Sequence, residues 1–154
     1  MENEASNFTT AEDVRETSSF KFLEAEVIVD RHRIHLKHFN KNKEFVLQSK
    51  KQKFFRYHHI DSFNPRSQKV GTIIESVIRM SRYSTNVSDL LDSIKLTYAE
   101  LQTLDYTPRL FADALTKIIR NRSDEPGTWS FLTTYIESLR DSSQQRGRHP
   151  PAEG

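Results

Sequence analysis

Two kinds of hydrophobic spacing divide the chain. Through residue 64 the apolar positions recur every second residue; beyond residue 67 they recur at i, i+3 and i+4. In FKFLEAEVIV, Leu23, Ala25, Val27 and Val29 alternate with Glu24, Glu26 and Ile28, which predicts a strand with one imperfect position. Asp30-Arg31-His32 reads as a turn. RIHLKHF then places Ile34 and Leu36 on one face and Arg33, His35 and Lys37 on the other. Asn40-Lys41-Asn42-Lys43 is a second turn, because Asn tolerates left-handed backbone angles. EFVLQ alternates again, with Phe45 and Leu47 as its apolar face. Ser49-Lys50-Lys51-Gln52 leads into KFFRYHHI, and Asn64-Pro65 closes the region. The expectation is an antiparallel meander of about four strands with one face inward.

The second half carries helical stripes. Between Lys69 and Tyr83 these are Val70, Ile73, Ile74, Val77 and Ile78. Asn86 or Ser88 caps the next helix, whose stripe is Leu90, Leu91, Ile94, Tyr98 and Leu101, with Leu104 at its end. Thr107-Pro108 starts a third, an N-cap followed by proline at the first helical position. It carries Leu110, Phe111, Ala114, Leu115, Ile118 and Ile119, and ends in Arg120 and Arg122. Asp124-Glu125-Pro126 opens a fourth, with Trp129, Leu132, Tyr135, Ile136 and Leu139 inward. Helices with one apolar face must pack on each other or on the sheet. The predicted fold class is therefore α+β, sheet first and about four packed helices after. One domain is expected over 18–140, β-rich over 18–64 and helical over 67–140. Residues 1–17 read as a disordered acidic arm and 141–154 as a disordered tail.

Charge changes this picture more than composition does. The net charge of the 154 residues is only +2, yet it is segregated: −6 over residues 1–30, +9 over 31–69 and −1 over 70–154. The chain has no cysteine, which removes disulfides, thiolate catalysis and cysteine-ligated zinc. No apolar run approaches the roughly 18–20 residues of a membrane span. An intracellular protein is expected, in cytoplasm or nucleus, and a viral accessory protein fits the charged ends.

Candidate chemistry is sparse. His32, His35 and His38 lie on a predicted strand, so His35 points away from the other two and carboxylate partners for a metal are missing. His59, Asp61 and Ser62 are close in sequence but read as a turn. With four glycines in the whole chain, no phosphate-cradling loop is present. The reading is against an enzyme, a metal site or a cofactor, and for binding. Basic groups interleaved with aromatics attract phosphates and offer ring faces to bases. The candidate polyanion contacts are Arg33, Lys37, Lys41, Lys43, Lys50, Lys51, Lys53 and Arg56, with Phe54 or Tyr57 as a stacking platform. The expected partner is nucleic acid, RNA or DNA, with an acidic protein surface or anionic lipid sharing the same chemistry. The alternative is a protein-interaction module or subunit of an oligomer or larger assembly. It would dock through its helical half at positions such as Trp129, Phe131 and Tyr135.

Two segments carry family resemblances. The short strands ending in RYHHIDSF resemble part of a pleckstrin-homology or phosphotyrosine-binding type domain over about 45 residues, which implies phosphoinositide or peptide binding. YAELQTLDYTPRLFADALTKI resembles one unit of the helical-pair repeats of organellar RNA-binding proteins, which implies RNA binding.

Overall fold

In the computed structural model, which describes residues 17–48, 56–122 and 127–148, the first alternating segment folds as a hairpin. Strands β1 (Thr17–Phe22), β2 (Ala25–Asp30) and β3 (Arg33–His38) form an antiparallel sheet in the order β1-β2-β3. Both connections are two residues long, and each places one residue in the left-handed region: Leu23 at φ 56° and Arg31 at φ 41°. Neither turn carries the Asn-Gly or Gly signature such turns favour. The ladder formed on each side supplies the compensation.

The pairing register sorts the sheet into two faces. Ser18, Val29 and Ile34 lie in one row, Phe20, Val27 and Leu36 in the next, and Phe22, Ala25 and His38 in the third. The opposite face carries Arg33, His35, Lys37, Glu26 and Lys21.

The expected third and fourth strands are corrections. EFVLQ belongs to a short helix, α1 (Lys43–Leu47), in which the Val46 amide donates to the Asn42 carbonyl at 2.9 Å. Five residues carry too little pattern to separate a period of two from a helical turn. Of KFFRYHHI, residues 53–55 lie outside the described residues, and 56–60 run as irregular chain against the helices. The Ile60 amide donates to the Leu104 carbonyl at 3.1 Å, and the Tyr106 hydroxyl donates to the His58 carbonyl at 2.8 Å. The last of the short strands on which the pleckstrin-like resemblance rests is therefore, over its described residues, a loop.

The remaining helices are α2 (Arg66–Arg82), α3 (Val87–Gln102), α4 (Pro108–Asn121) and α5 (Leu132–Arg148). Both predicted caps are made: Asn86 accepts from the Ser88 amide at 2.9 Å, and Thr107 accepts from the Leu110 amide at 3.2 Å, with Pro108 first in α4. Helix α5 starts later than expected, at Leu132, and runs through to Arg148, beyond the boundary expected at residue 140. Of the arm expected over 1–17, residues 1–16 lie outside the described residues and Thr17 opens β1; the residues after 148 and the opener Asp124-Glu125-Pro126 also lie outside them.

The hydrophobic core is wholly helical apart from Tyr57 and the turns between helices. Ile73, Val77 and Met80 of α2 meet Ile94 and Leu101 of α3, Phe111, Leu115 and Ile118 of α4 and Leu132 of α5, all almost without exposure. Phe111 stacks on Tyr98 at 5.0 Å between centroids and meets the edge of Tyr135 at 6.4 Å. No sheet residue joins this cluster, so one face of the sheet does not close on a core as expected. Phe111→Ala is therefore expected to lower unfolding free energy by about 3–5 kcal/mol in a denaturant titration. Ile34→Ala, on the exposed end of the sheet, is expected to change it by no more than about 0.5 kcal/mol.

Candidate functional site

The strand half is anchored by a charge with no access to water. Glu100 on α3 is fully buried, and its carboxylate accepts from Asn40 at 3.0 Å and Asn42 at 2.7 Å. Arg56 donates to the same carboxylate through Nε at 3.1 Å and Nη2 at 2.7 Å, a fork-to-fork pair. The two asparagines are set by their own turn, in which the Asn42 amide donates to the Asn40 side chain at 2.8 Å. Burial pushes the Arg56 pKa down, and the hydrogen bonds to Glu100 together with the surrounding Tyr57, Glu100 and Glu24 charges more than offset it, so the net shift is upward.

The candidates read from the sequence do not include Glu100. Its signal is a second stripe: Ser93, Thr97 and Glu100 are all buried at helical spacing beside Leu90, Ile94 and Leu101.

The predicted contact residues separate into three groups. Arg33, Lys41 and Lys43 are exposed, and Lys37 is half-buried with its ammonium 4.0 Å from Asp89. Arg56 is neutralised by Glu100, so it adds no net charge to the surface. Lys50, Lys51, Lys53 and Phe54 lie outside the described residues. Tyr57 is a correction: it is 7% exposed and belongs to the helical core, so its ring offers no free face. Trp129 is likewise in the core, with Phe131 and Tyr135 partly buried against it.

Other rings take the exposed positions. Phe20 and Phe22, on one face of β1, are 56% and 62% exposed; Ile34 extends the same face at 66%, and Leu23 is 70% exposed in the turn that follows β1. Sequence reading missed the two phenylalanines because a single long strand set them opposite the Leu23–Val29 face. Only the hairpin puts Phe20 beside Val27 and Phe22 beside Ala25.

Beside the sheet, a cleft of about 360 Å3 lies between β2–β3, α1 and α3. Phe39, Leu47 and Leu96 give it an apolar floor, and Lys37, Lys43 and Lys95 bring cations against Glu26 and Asp92. His38 lines it as well. Burial first, and then the nearby Arg56 charge, hold its imidazole pKa down at about 4, so it is neutral at pH 7.

His59 is held at both ring nitrogens. Nε2 lies 2.9 Å from an Asp105 carboxylate oxygen, and Nδ1 accepts from the Asp61 amide at 3.1 Å. That arrangement fixes the tautomer with the proton on Nε2 and occupies the nitrogen a neighbouring Ser62 would need. Among the described residues no group of three or more His, Asp or Glu is placed to hold a metal, and no helix is long and apolar enough to cross a membrane. No family model, curated protein or solved structure matches the chain, so the site is read from its own geometry.

Removing one partner of the buried pair leaves the other stranded. Glu100→Ala is expected to cost about 3–5 kcal/mol in a denaturant titration. His38 adds a pH dependence whose sign follows from its lowered pKa. As pH falls below about 6.5 the unfolded chain takes up a proton that the folded one refuses, so stability drops until about pH 4 and then levels. The loss should be no more than about 3 kcal/mol, and His38→Gln should flatten that part of the stability–pH curve.

Proposed function

We propose that the chain is a non-enzymatic binding module that holds single-stranded nucleic acid against its three-strand sheet. The observation that carries this reading is the pair Phe20 and Phe22: two rings on one face of a strand, both more than half exposed. Residues i and i+2 of a strand place such rings about 7 Å apart. Every base has a flat face, so a ring pair of this kind accepts strands of any sequence. Lys41 and Lys43 are exposed in the same half of the molecule and supply phosphate contacts, whereas Arg33 and Lys37 lie on the sheet face opposite the two rings. His59 has a structural part in this reading, tying the loop before α2 to Asp105, and no step of catalysis is called for.

A second reading rests on the aliphatic part of the same surface. Bases gain little from Leu23 and Ile34, whereas a protein partner would bury both. The outer edge of β1 has no neighbouring strand among the described residues, which suits strand addition by a partner. Docking through the helical half is less favoured, because Trp129 and its neighbours pack inward.

Anisotropy titrations of short single-stranded RNA, short single-stranded DNA and anionic vesicles at several salt concentrations test the proposal. Two phosphate contacts predict a log–log salt slope of about −1.4 for a single strand. Phe20→Ala and Phe22→Ala are each expected to weaken binding by about 1–3 kcal/mol without loss of fold. Absence of nucleic-acid binding at low salt sinks the reading, and so does binding that ignores both substitutions. Preference for vesicles alone would assign the surface to lipid.

A further inference from the structure

Away from the Glu100 cluster, β3 is also pinned to the helices through Thr85. This threonine is exposed and lies in the connection over 83–86, between α2 and α3. Its Oγ1 accepts from the Leu36 amide at 2.9 Å and donates to the Leu36 carbonyl at 3.2 Å. Its own amide donates to that carbonyl at 2.9 Å. The hydroxyl therefore sits between the donor and the acceptor of one strand residue, on the solvent side of the joint.

Arg82 stands three residues before Thr85. In an extended chain that spacing puts a guanidinium about 10 Å along the strand from the hydroxyl. Protein kinases with an acidic substrate groove select such a charge pattern. Ser18 and Ser143 follow Arg15 and Arg140 at the same spacing, but Ser18 is inside β1 and Ser143 inside α5. Ser123, which follows Arg120, lies outside the described residues. Among the described residues, then, this pattern meets a loop at Thr85. Arg82 is the last residue of α2, and helix ends fray readily. None of residues 82–85 belongs to the hydrophobic core, so the segment can straighten without unpacking it.

We infer that Thr85 is a phosphorylation site for an arginine-directed protein kinase, and that its phosphate releases the edge of β3 from the helices. Oγ1 attacks the γ-phosphorus of ATP, and a P–O bond forms as the bond to the β-phosphate oxygen breaks. ADP leaves, and the hydroxyl proton passes to the base of the kinase. The product has no proton to donate to the Leu36 carbonyl, and its anionic oxygens repel that carbonyl oxygen. Contacts of 2.9 and 3.2 Å also leave no room for a tetrahedral group between the side chain and the strand. Asn40 and Asn42 remain held by Glu100, so the release is confined to the strand. This site does not rest on the reading of Phe20 and Phe22.

The full chain is incubated with ATP and the catalytic subunit of a cyclic-AMP-dependent protein kinase, and modified residues are located by peptide fragmentation. Thr85 should be modified about tenfold faster, or more, than Ser18 or Ser143. Arg82→Gln, at an exposed position, should slow the reaction by about tenfold with an unchanged unfolding midpoint. Thr85→Ser should still be modified at residue 85, and Thr85→Val should not. In the phosphorylated chain the Leu36 amide should exchange about tenfold faster, while the core amides of Ile73 and Phe111 keep their protection. The inference is overturned if Thr85 stays unmodified, or is modified no faster than Ser18 and Ser143. It is equally overturned if Arg82→Gln reacts as the parent does, or if phosphorylation leaves the Leu36 amide as protected as before.

Discussion

A carboxylate shut away from water must find its partners within the protein, and Glu100 draws two separate pieces of chain to itself. A lone buried carboxylate would be several kcal/mol out of balance in the folded state. The balance is restored when Asn40 and Asn42 donate from the loop after β3 and Arg56 donates as a fork from the segment before α2. The path of the chain between sheet and helices follows from this demand. β3 must end before Asn40, α1 must begin beside Asn42, and Arg56 must enter at the side of α3. Tyr57, carried along by its neighbour, then enters the helical core.

What joins the two halves is consequently polar, and that has an effect on the surface. Beyond the Glu100 cluster, the Leu36 amide donates to the Thr85 hydroxyl at 2.9 Å and the Thr85 amide donates to the Leu36 carbonyl at 2.9 Å. Arg79 reaches Glu24 at 3.5 Å. These contacts fix the sheet without drawing its apolar rows into the core, so Phe20, Phe22 and Ile34 remain in solvent. A sheet seated on a core by its hydrophobic face would have had no such surface to offer a partner.

How much of this was legible in the sequence depended on the length of each pattern. Helices α2 to α4 carry several turns of apolar spacing, and α3 and α4 announce their starts with Asn86 and Thr107-Pro108. EFVLQ is too short for its alternation to exclude a helix. The turn at Leu23-Glu24 was hidden because neither residue is a usual turn former, and with it went the exposure of Phe20 and Phe22. At the candidate site, exposed Lys41 and Lys43 could be named from charge alone. That Arg56 is spent on Glu100 could not, because their pairing joins residues 44 apart in the chain and sets an acid within a buried stripe.

The account makes the Glu100 cluster the tie between a self-sufficient helical core and a sheet that has little core of its own. Native-state hydrogen exchange on the parent and on Glu100→Gln measures that directly. The amides of β2 and β3 should lose protection by about two orders of magnitude, roughly 3 kcal/mol of local stability, while the core amides of α2 and α4 keep theirs. Equal loss of protection in sheet and core, or no loss in the sheet, would contradict it.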